Sequence, residues 1–293
     1  MYYTGFADEA SADFDLQLKA TKALGWKFIE TRFLYGSKLS DITDAQFEEV
    51  CAKLEANGIK FNCYGSGIAN WSQPITEGPE KSYEEMKKAI PRMKKLGIPM
   101  VRMMSFAVKD LANPEDYAQE VFKRVGHIVK MAEDAGILCL HENCMNWGGL
   151  SYEHTLRLLD AVKSPALKLV FDTGNPVFSL DTRGNKPYKY QSSWEFYKNV
   201  KEFIHYVHIK DGVVSPDGKN TFTFGGEGEG DVKKIVKDLL QSGYDGGFSI
   251  EPHMRHVFHE EKKENIEELG YENYIEYGMK FMQLVDEIKK EIK

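Results

Sequence analysis

The sequence predicts a closed, eight-stranded parallel β/α barrel. Short β-branched or apolar runs alternate with longer stretches of helical period, and the alternation repeats eight times. The runs are YYTGFA from Tyr2, KFIETRF from Lys27, KFNCYGSG from Lys60 and MVRMMSF from Met100, followed by ILCLHEN from Ile137, LKLVFDTGN from Leu167, HYVHIKD from His205 and GFSIEPH from Gly247. Between them lie amphipathic segments such as TDAQFEEVCAKLEANG, AQEVFKRVGHIVKMAEDAG and VKKIVKDLLQSG. Gly25, Gly58, Gly97, Gly136 and Gly243 close such segments just before the next strand, where a left-handed residue ends a helix without steric cost. A doubly wound open sheet also alternates, but it has fewer strands, and a dinucleotide-binding one carries GxGxxG after its first strand. Here the first strand leads into DEASADF, so no nicotinamide is expected.

The 293 residues exceed an average domain but suit a barrel of about 250 residues plus loops, so residues 1–293 are expected to form one domain. No Pro/Gly/Ser linker or charge run divides them. With 42% hydrophobic and 28% charged residues, the chain can bury a core beneath a solvated surface. A net charge of −7 argues against a nucleic-acid partner, because binding to a phosphate backbone draws on Lys and Arg displacing counterions. Cys51, Cys63, Cys139 and Cys144 form no CxxC pair and read as reduced, mostly buried thiols. The N-terminus has no signal-peptide pattern and no window reaches about 20 consecutive apolar residues, so no membrane contact and a cytoplasmic location are expected. Assembly into a homo-oligomer stays open.

In such a barrel the chemistry comes from the carboxyl ends of the strands and the loops that follow. The fifth strand ends in Glu142, the sixth in Asp172, the seventh in His208 and the eighth in Glu251. Strand alternation tests whether these four point inward. It places Leu138 and Leu140 with Glu142, and Tyr206 and Lys210 with His208, leaving Leu169, Phe171, Val207, Ile209, Phe248 and Ile250 to the helix layer. Three carboxylates and one imidazole suit one divalent ion such as Mn²⁺, Mg²⁺, Co²⁺ or Zn²⁺. Without a cation, carboxylates packed so closely raise each other's pKa.

Several other side chains are candidates for substrate contact at the mouth. Arg102, Lys210 and Asn175 lie at strand ends, and His253 follows the eighth strand with His256 and His259 on the same loop. Arg102 and Lys210 suit either hydroxyls and carboxylates of a ligand or ion pairs within the barrel; Glu30 and Arg32 share a face of the second strand. Trp71 and Trp147 follow the third and fifth strands, where an indole either stacks on a sugar face or packs its own loop. His141 and Cys139 have outward parity and read as packing or loop-supporting residues, while His127 and His154 on helices read as surface or helix-packing histidines. The glycine-rich GEGEGD, Gly225 to Asp231, is a poor phosphate cradle because Glu227 and Glu229 repel an anion.

At FADEAS, FIETR, HEN, FDTGN, VHIKD, GEGEGD and SIEPH the chain resembles the xylose isomerase-like barrel superfamily, in particular its sugar phosphate isomerase/epimerase branch. These stretches are short, but they run in order from Phe6 to His253. The resemblance implies that Glu142 and Glu251 are metal ligands and also the acid/base pair, and that Asp172 and His208 complete the metal site. Ketose 3-epimerases of that family commonly carry a substrate-contacting histidine three residues after the Asp; here that residue is Asn175. The expected function is a metal-dependent isomerase or epimerase of an unphosphorylated sugar or keto-sugar, working by proton transfer next to a carbonyl. Dehydration of an inosose or a 3-keto-glycoside is the alternative. An apurinic endonuclease-like enzyme and a metal-free sugar-binding barrel are the readings from other classes.

Overall fold

A computed structural model describes residues 1–111, 113–253 and 266–292. All eight expected strands form: β1 (Tyr2–Gly5), β2 (Phe28–Thr31), β3 (Lys60–Gly65), β4 (Met100–Met103), β5 (Leu138–Glu142), β6 (Leu167–Asp172), β7 (Ile204–Ile209) and β8 (Gly247–Ile250). They make one parallel sheet in the order β1-β8-β7-β6-β5-β4-β3-β2. A single parallel bridge between Phe6 and Glu30 brings β1 back to β2, so the sheet curls into a (β/α)8 barrel. Helices follow the strands, among them Asp44–Asn57, Ala118–Asp134 and Val232–Gln241, and the long helix Ile266–Glu291 comes after β8. No helix among the described residues is long and apolar enough to cross a membrane.

The expected parity holds on both faces. Leu169, Phe171, Val207, Ile209, Phe248 and Ile250 are buried in the layer between sheet and helices. Cys63, Met100, Leu140, Val170 and Tyr206 instead form a second cluster inside the barrel. A polar contact crosses that interior: Thr4 donates to Asn62 at 2.9 Å, and the Asn62 amide donates to the Tyr206 hydroxyl at 2.9 Å. The barrel is therefore plugged below, and only its carboxyl end is open to a ligand. The five helix-ending glycines all have positive φ. The cysteines are all free.

Two hairpins stand outside the alternation. Phe33–Leu34 pairs with Ser37–Lys38 across Tyr35 and Gly36, both at positive φ, as a tight two-residue turn requires. Asp211–Val214 pairs with Asn220–Thr223. They extend from β2 and β7 and contribute walls to the pocket described next.

Candidate metal centre and active site

Inward parity at four adjacent strand ends brings Glu142, Asp172, His208 and Glu251 together. Each offers an atom within 4.8 Å of the others, and all four are buried. His208 fixes which atom. Its Nε2 faces the carboxylate of Glu30, 3.0 and 3.2 Å from the two oxygens, while Ser249 donates to the same carboxylate at 2.7 Å. Its Nδ1 has no hydrogen-bond partner among the described residues and lies 3.6 Å from Glu142 and 3.9 Å from Glu251. A carboxylate behind one ring nitrogen and a free nitrogen facing other carboxylates is how proteins orient a metal-binding histidine.

The sequence placed Glu30 on one face of the second strand with Arg32, but did not show it as the partner of a residue 178 positions away. Glu30→Gln should therefore weaken divalent-metal affinity about 10–100-fold, measured by Mn²⁺ titration, while the barrel stays folded. An unchanged affinity would show that His208 needs no such support.

The electrostatics favour a cation. Six carboxylates (Asp8, Glu9, Glu30, Glu142, Asp172 and Glu251) face three side chains of fixed positive charge, Arg32, Arg102 and Lys210. With His208 as a neutral ligand, a protonated His253 and one divalent ion bring this set to balance. In the metal-free protein, burial opposes charge on His208, yet Glu30 and Glu142 outweigh it and hold the imidazole near 10. Burial would raise Glu142, but Arg102 and His208 hold it at about 2. Asp172 is pushed up to about 6 by burial, despite Lys210 beside it. The donor set, the unpartnered buried nitrogen and the charge balance all fit a divalent metal.

Four of the expected substrate-contacting residues, Arg102, Asn175, Lys210 and His253, reach this mouth, each holding a ligand of the cluster. The Arg102 Nε lies 3.3 Å from Glu142, and a terminal nitrogen of Arg102 donates to the Ser66 carbonyl at 2.9 Å. The Asn175 amide donates to Glu142 at 3.0 Å and its backbone N–H to Asp172 at 2.6 Å. Lys210 bridges Asp172 and Glu251 at 2.9 Å each. His253, at φ +52, turns its ring to within 3.1 Å of Glu251, and Glu9 accepts its backbone N–H at 2.7 Å. A left-handed conformation in a non-glycine residue costs about 1–3 kcal/mol and collects at functional sites. Arg32 adds a further ion pair to Glu251 at 3.2 Å.

Phe6 is the platform under these arginines. The Arg32 and Arg102 guanidiniums lie 4.5 and 5.4 Å from its ring centre, and its edge meets His208 at 5.1 Å. Gly65 makes room, since a β-carbon there would fall 2.4 Å from the Phe6 ring.

Other sequence readings resolve in place. Trp147 is fully buried between Phe122 and His154 and does not line the pocket, so it packs its loop. Trp71 is 56% exposed and does line it. The glycine-rich loop cradles an anion after all, but one of the protein's own: Gly226, Gly228 and Gly230 donate backbone N–H groups to the Asp211 carboxylate at 2.8, 3.0 and 2.8 Å. This ties the loop under Lys210. His127 packs against Tyr83 with the rings tilted, and His154 pairs with Ser151. His256 and His259 lie outside the described residues.

His141 packs outward as expected, against Ser105 and Asn146, and burial lowers its pKa to about 4. An unfolded histidine titrates near 6.5. The neutral ring thus contributes its full stability above pH 6.5 and loses it as pH falls toward 4, on the order of 3 kcal/mol in all. His141→Gln should flatten the fall in urea midpoint between pH 7 and 4; an equal fall in both proteins would assign it to other groups.

The pocket above the cluster has a volume of about 450 Å³, in the range that takes small molecules. Its floor is Glu142, Glu251, Arg102 and Lys210. The sequence profile of the family described as "Xylose isomerase-like TIM barrel" matches residues 18–283. Among solved structures, the chain is similar to a D-tagatose 3-epimerase-like protein, with a TM-score of 0.71 at 15% identity over 100% of both chains. It is also similar to a xylose isomerase-like TIM barrel protein from Mycobacterium smegmatis in complex with magnesium, with a TM-score of 0.65 at 17% identity over 92% of this chain and 88% of that one. A third is the probable 3-DHS dehydratase AsbF from Bacillus anthracis, with a TM-score of 0.68 at 15% identity over 94% and 97%.

Proposed function

The chain belongs to the xylose isomerase-like TIM-barrel family, and on that premise we propose that it is a divalent-metal-dependent isomerase or epimerase of an unphosphorylated sugar or keto-sugar. The observation that carries this reading is the buried cluster of Glu142, Asp172, His208 and Glu251, with the His208 Nδ1 unpartnered and turned toward two of the carboxylates. These four residues would hold a divalent ion such as Mn²⁺, Mg²⁺, Co²⁺ or Zn²⁺. A bound divalent ion supplies Lewis-acid stabilisation of negative charge developing on a carbonyl oxygen.

The chain's own residues move the proton. Glu142 and Glu251 stand three strands apart around the barrel and approach a ligand from different sides. Burial disfavours charge on Glu251, but Lys210 and His253 outweigh it and keep the carboxylate well below its usual range. Both glutamates are therefore ionised at neutral pH and able to accept a proton from a carbon next to a carbonyl. Removal by one carboxylate and return by the other to the opposite face is epimerisation; return to the neighbouring carbon is isomerisation. Asn175 and Arg102 orient Glu142, while Lys210, His253 and Arg32 orient Glu251.

Dehydration is the second reading, favoured by His253. Burial opposes its charge, but Glu9 and Glu251 raise its pKa, so an acid stands at the mouth to protonate a departing hydroxyl. The test is incubation of the metal-loaded protein with ketoses, aldoses, inososes and 3-keto-glycosides in D₂O, followed by NMR and mass spectrometry. Deuterium incorporated at carbon with an isomeric product supports epimerisation or isomerisation, and loss of water supports dehydration. No exchange with any of them would sink the proton-transfer reading.

A further inference from the structure

The pocket is larger than a single sugar ring requires. Twelve non-hydrogen atoms of a hexose, given even the roughly 30 Å³ that a whole water claims in the liquid, fill about 360 Å³. The cavity measures about 450 Å³. The surplus does not lie at the ionic floor, which is closed by direct ion pairs between Arg102 and Glu142 and between Lys210, Asp172 and Glu251. It lies at the rim, and the rim is aromatic.

Phe33 and Trp71 follow β2 and β3; Phe178 and Phe222 follow β6 and β7, and all four line the pocket. In the observed strand order those two pairs of strands stand across the barrel from each other. The aromatic side chains therefore form two facing walls, with Met104 and Met145 between them. On one wall Phe178 packs edge-on against Phe222 at 5.0 Å, and Phe222 packs against His253 at 5.0 Å, so the apolar wall continues down to the groups that hold Glu251. On the other, Phe33 is 41% and Trp71 56% exposed, ring area still open to a ligand. Large apolar side chains left in water around a pocket mark a binding surface.

We propose that this rim is a second subsite that takes a flat, apolar ring attached to the sugar, so that the substrate class is a keto-glycoside bearing an aromatic aglycone, whose ring ketone supplies the carbonyl that the proton transfer needs. This rests on the sugar-binding reading of the floor below it. The lining also offers Lys38, Asn70 and Asn220 to hydroxyls, but its two facing walls of phenyl and indole rings favour an aglycone over a second sugar because they can stack on both sides of a flat ring.

The experiment compares methyl and phenyl β-D-glucopyranoside, whose sugar parts are identical, by calorimetric titration of the metal-loaded protein and of Trp71→Ala and Phe33→Ala. Both replaced side chains are exposed, so the fold is not at stake. Phenyl glucoside should bind about tenfold more tightly than methyl glucoside, a difference of about 1.4 kcal/mol. Trp71→Ala should erase most of that gain and leave methyl glucoside affinity unchanged. Equal affinities in the wild-type protein, or a Trp71→Ala loss shared by both glucosides, would overturn the subsite. The D₂O exchange experiment keeps the two readings apart. A preference for the phenyl compound without carbon–hydrogen exchange leaves the subsite and removes the proposed chemistry; exchange without the preference does the reverse.

Discussion

Glu142→Gln and Glu251→Gln should each lower turnover by about 10²–10⁴, the usual contribution of a positioned general acid or base. Glutamine keeps the size and one ligand oxygen, so both variants should retain metal, which elemental analysis reads independently of activity. The two should differ in what remains. When the glutamate that takes the proton survives, it can still exchange a substrate proton with D₂O by removing it and returning it to the same face, although the reaction stops there. The other variant should do neither with that substrate. The surroundings add to the asymmetry: Glu142 is held by a neutral amide and one guanidinium, Glu251 by Lys210, Arg32 and His253. Wild-type turnover in both variants with metal bound would mean that the base lies elsewhere.

Asp172→Ala and His208→Ala should lose bound metal outright while the barrel remains folded. Each removes one of four buried donors and leaves a cavity of a few atoms, and the strands that carry them stay paired on both sides. Affinity for Mn²⁺ should fall by more than the 10–100-fold that follows loss of a supporting residue. In Asp172→Ala the Lys210 ammonium retains Glu251 as its partner. Full metal occupancy in both variants would refute the ligand set.

What the sequence made legible follows from period. A side-chain alternation of two fixes which residues face inward, so Glu142, Asp172, His208 and Glu251 could be placed at one level before any contact was known. The layer residues followed by the same rule, from Leu169 outward to Ile250. What stayed hidden depends on contacts across the barrel. Alternation put Glu30 on the same face as Arg32, but did not give the neighbour from β7 that it meets. Arg102 and Lys210 left two readings open because a long cation at a barrel mouth can serve the ligand or the protein; the coordinates pair both with carboxylates. GEGEGD was read only for phosphate, yet its amides bind a carboxylate, because Asp211 is brought to them by the hairpin. That hairpin had a local signal in Pro216-Asp217-Gly218, a turn sequence between two short runs rich in Val, Thr and Phe. Trp147 followed a strand end as Trp71 does; the one-turn helix Trp147–Leu150 takes its ring into the core instead.

The central claim is that these four side chains hold one divalent ion, and anomalous diffraction from a crystal soaked in Mn²⁺ tests it most directly. The account predicts one strong anomalous peak among Glu142, Asp172, His208 and Glu251, bound to the histidine through Nδ1 while Nε2 stays on Glu30. A map with no peak there, and Lys210 still seated between Asp172 and Glu251, would contradict it.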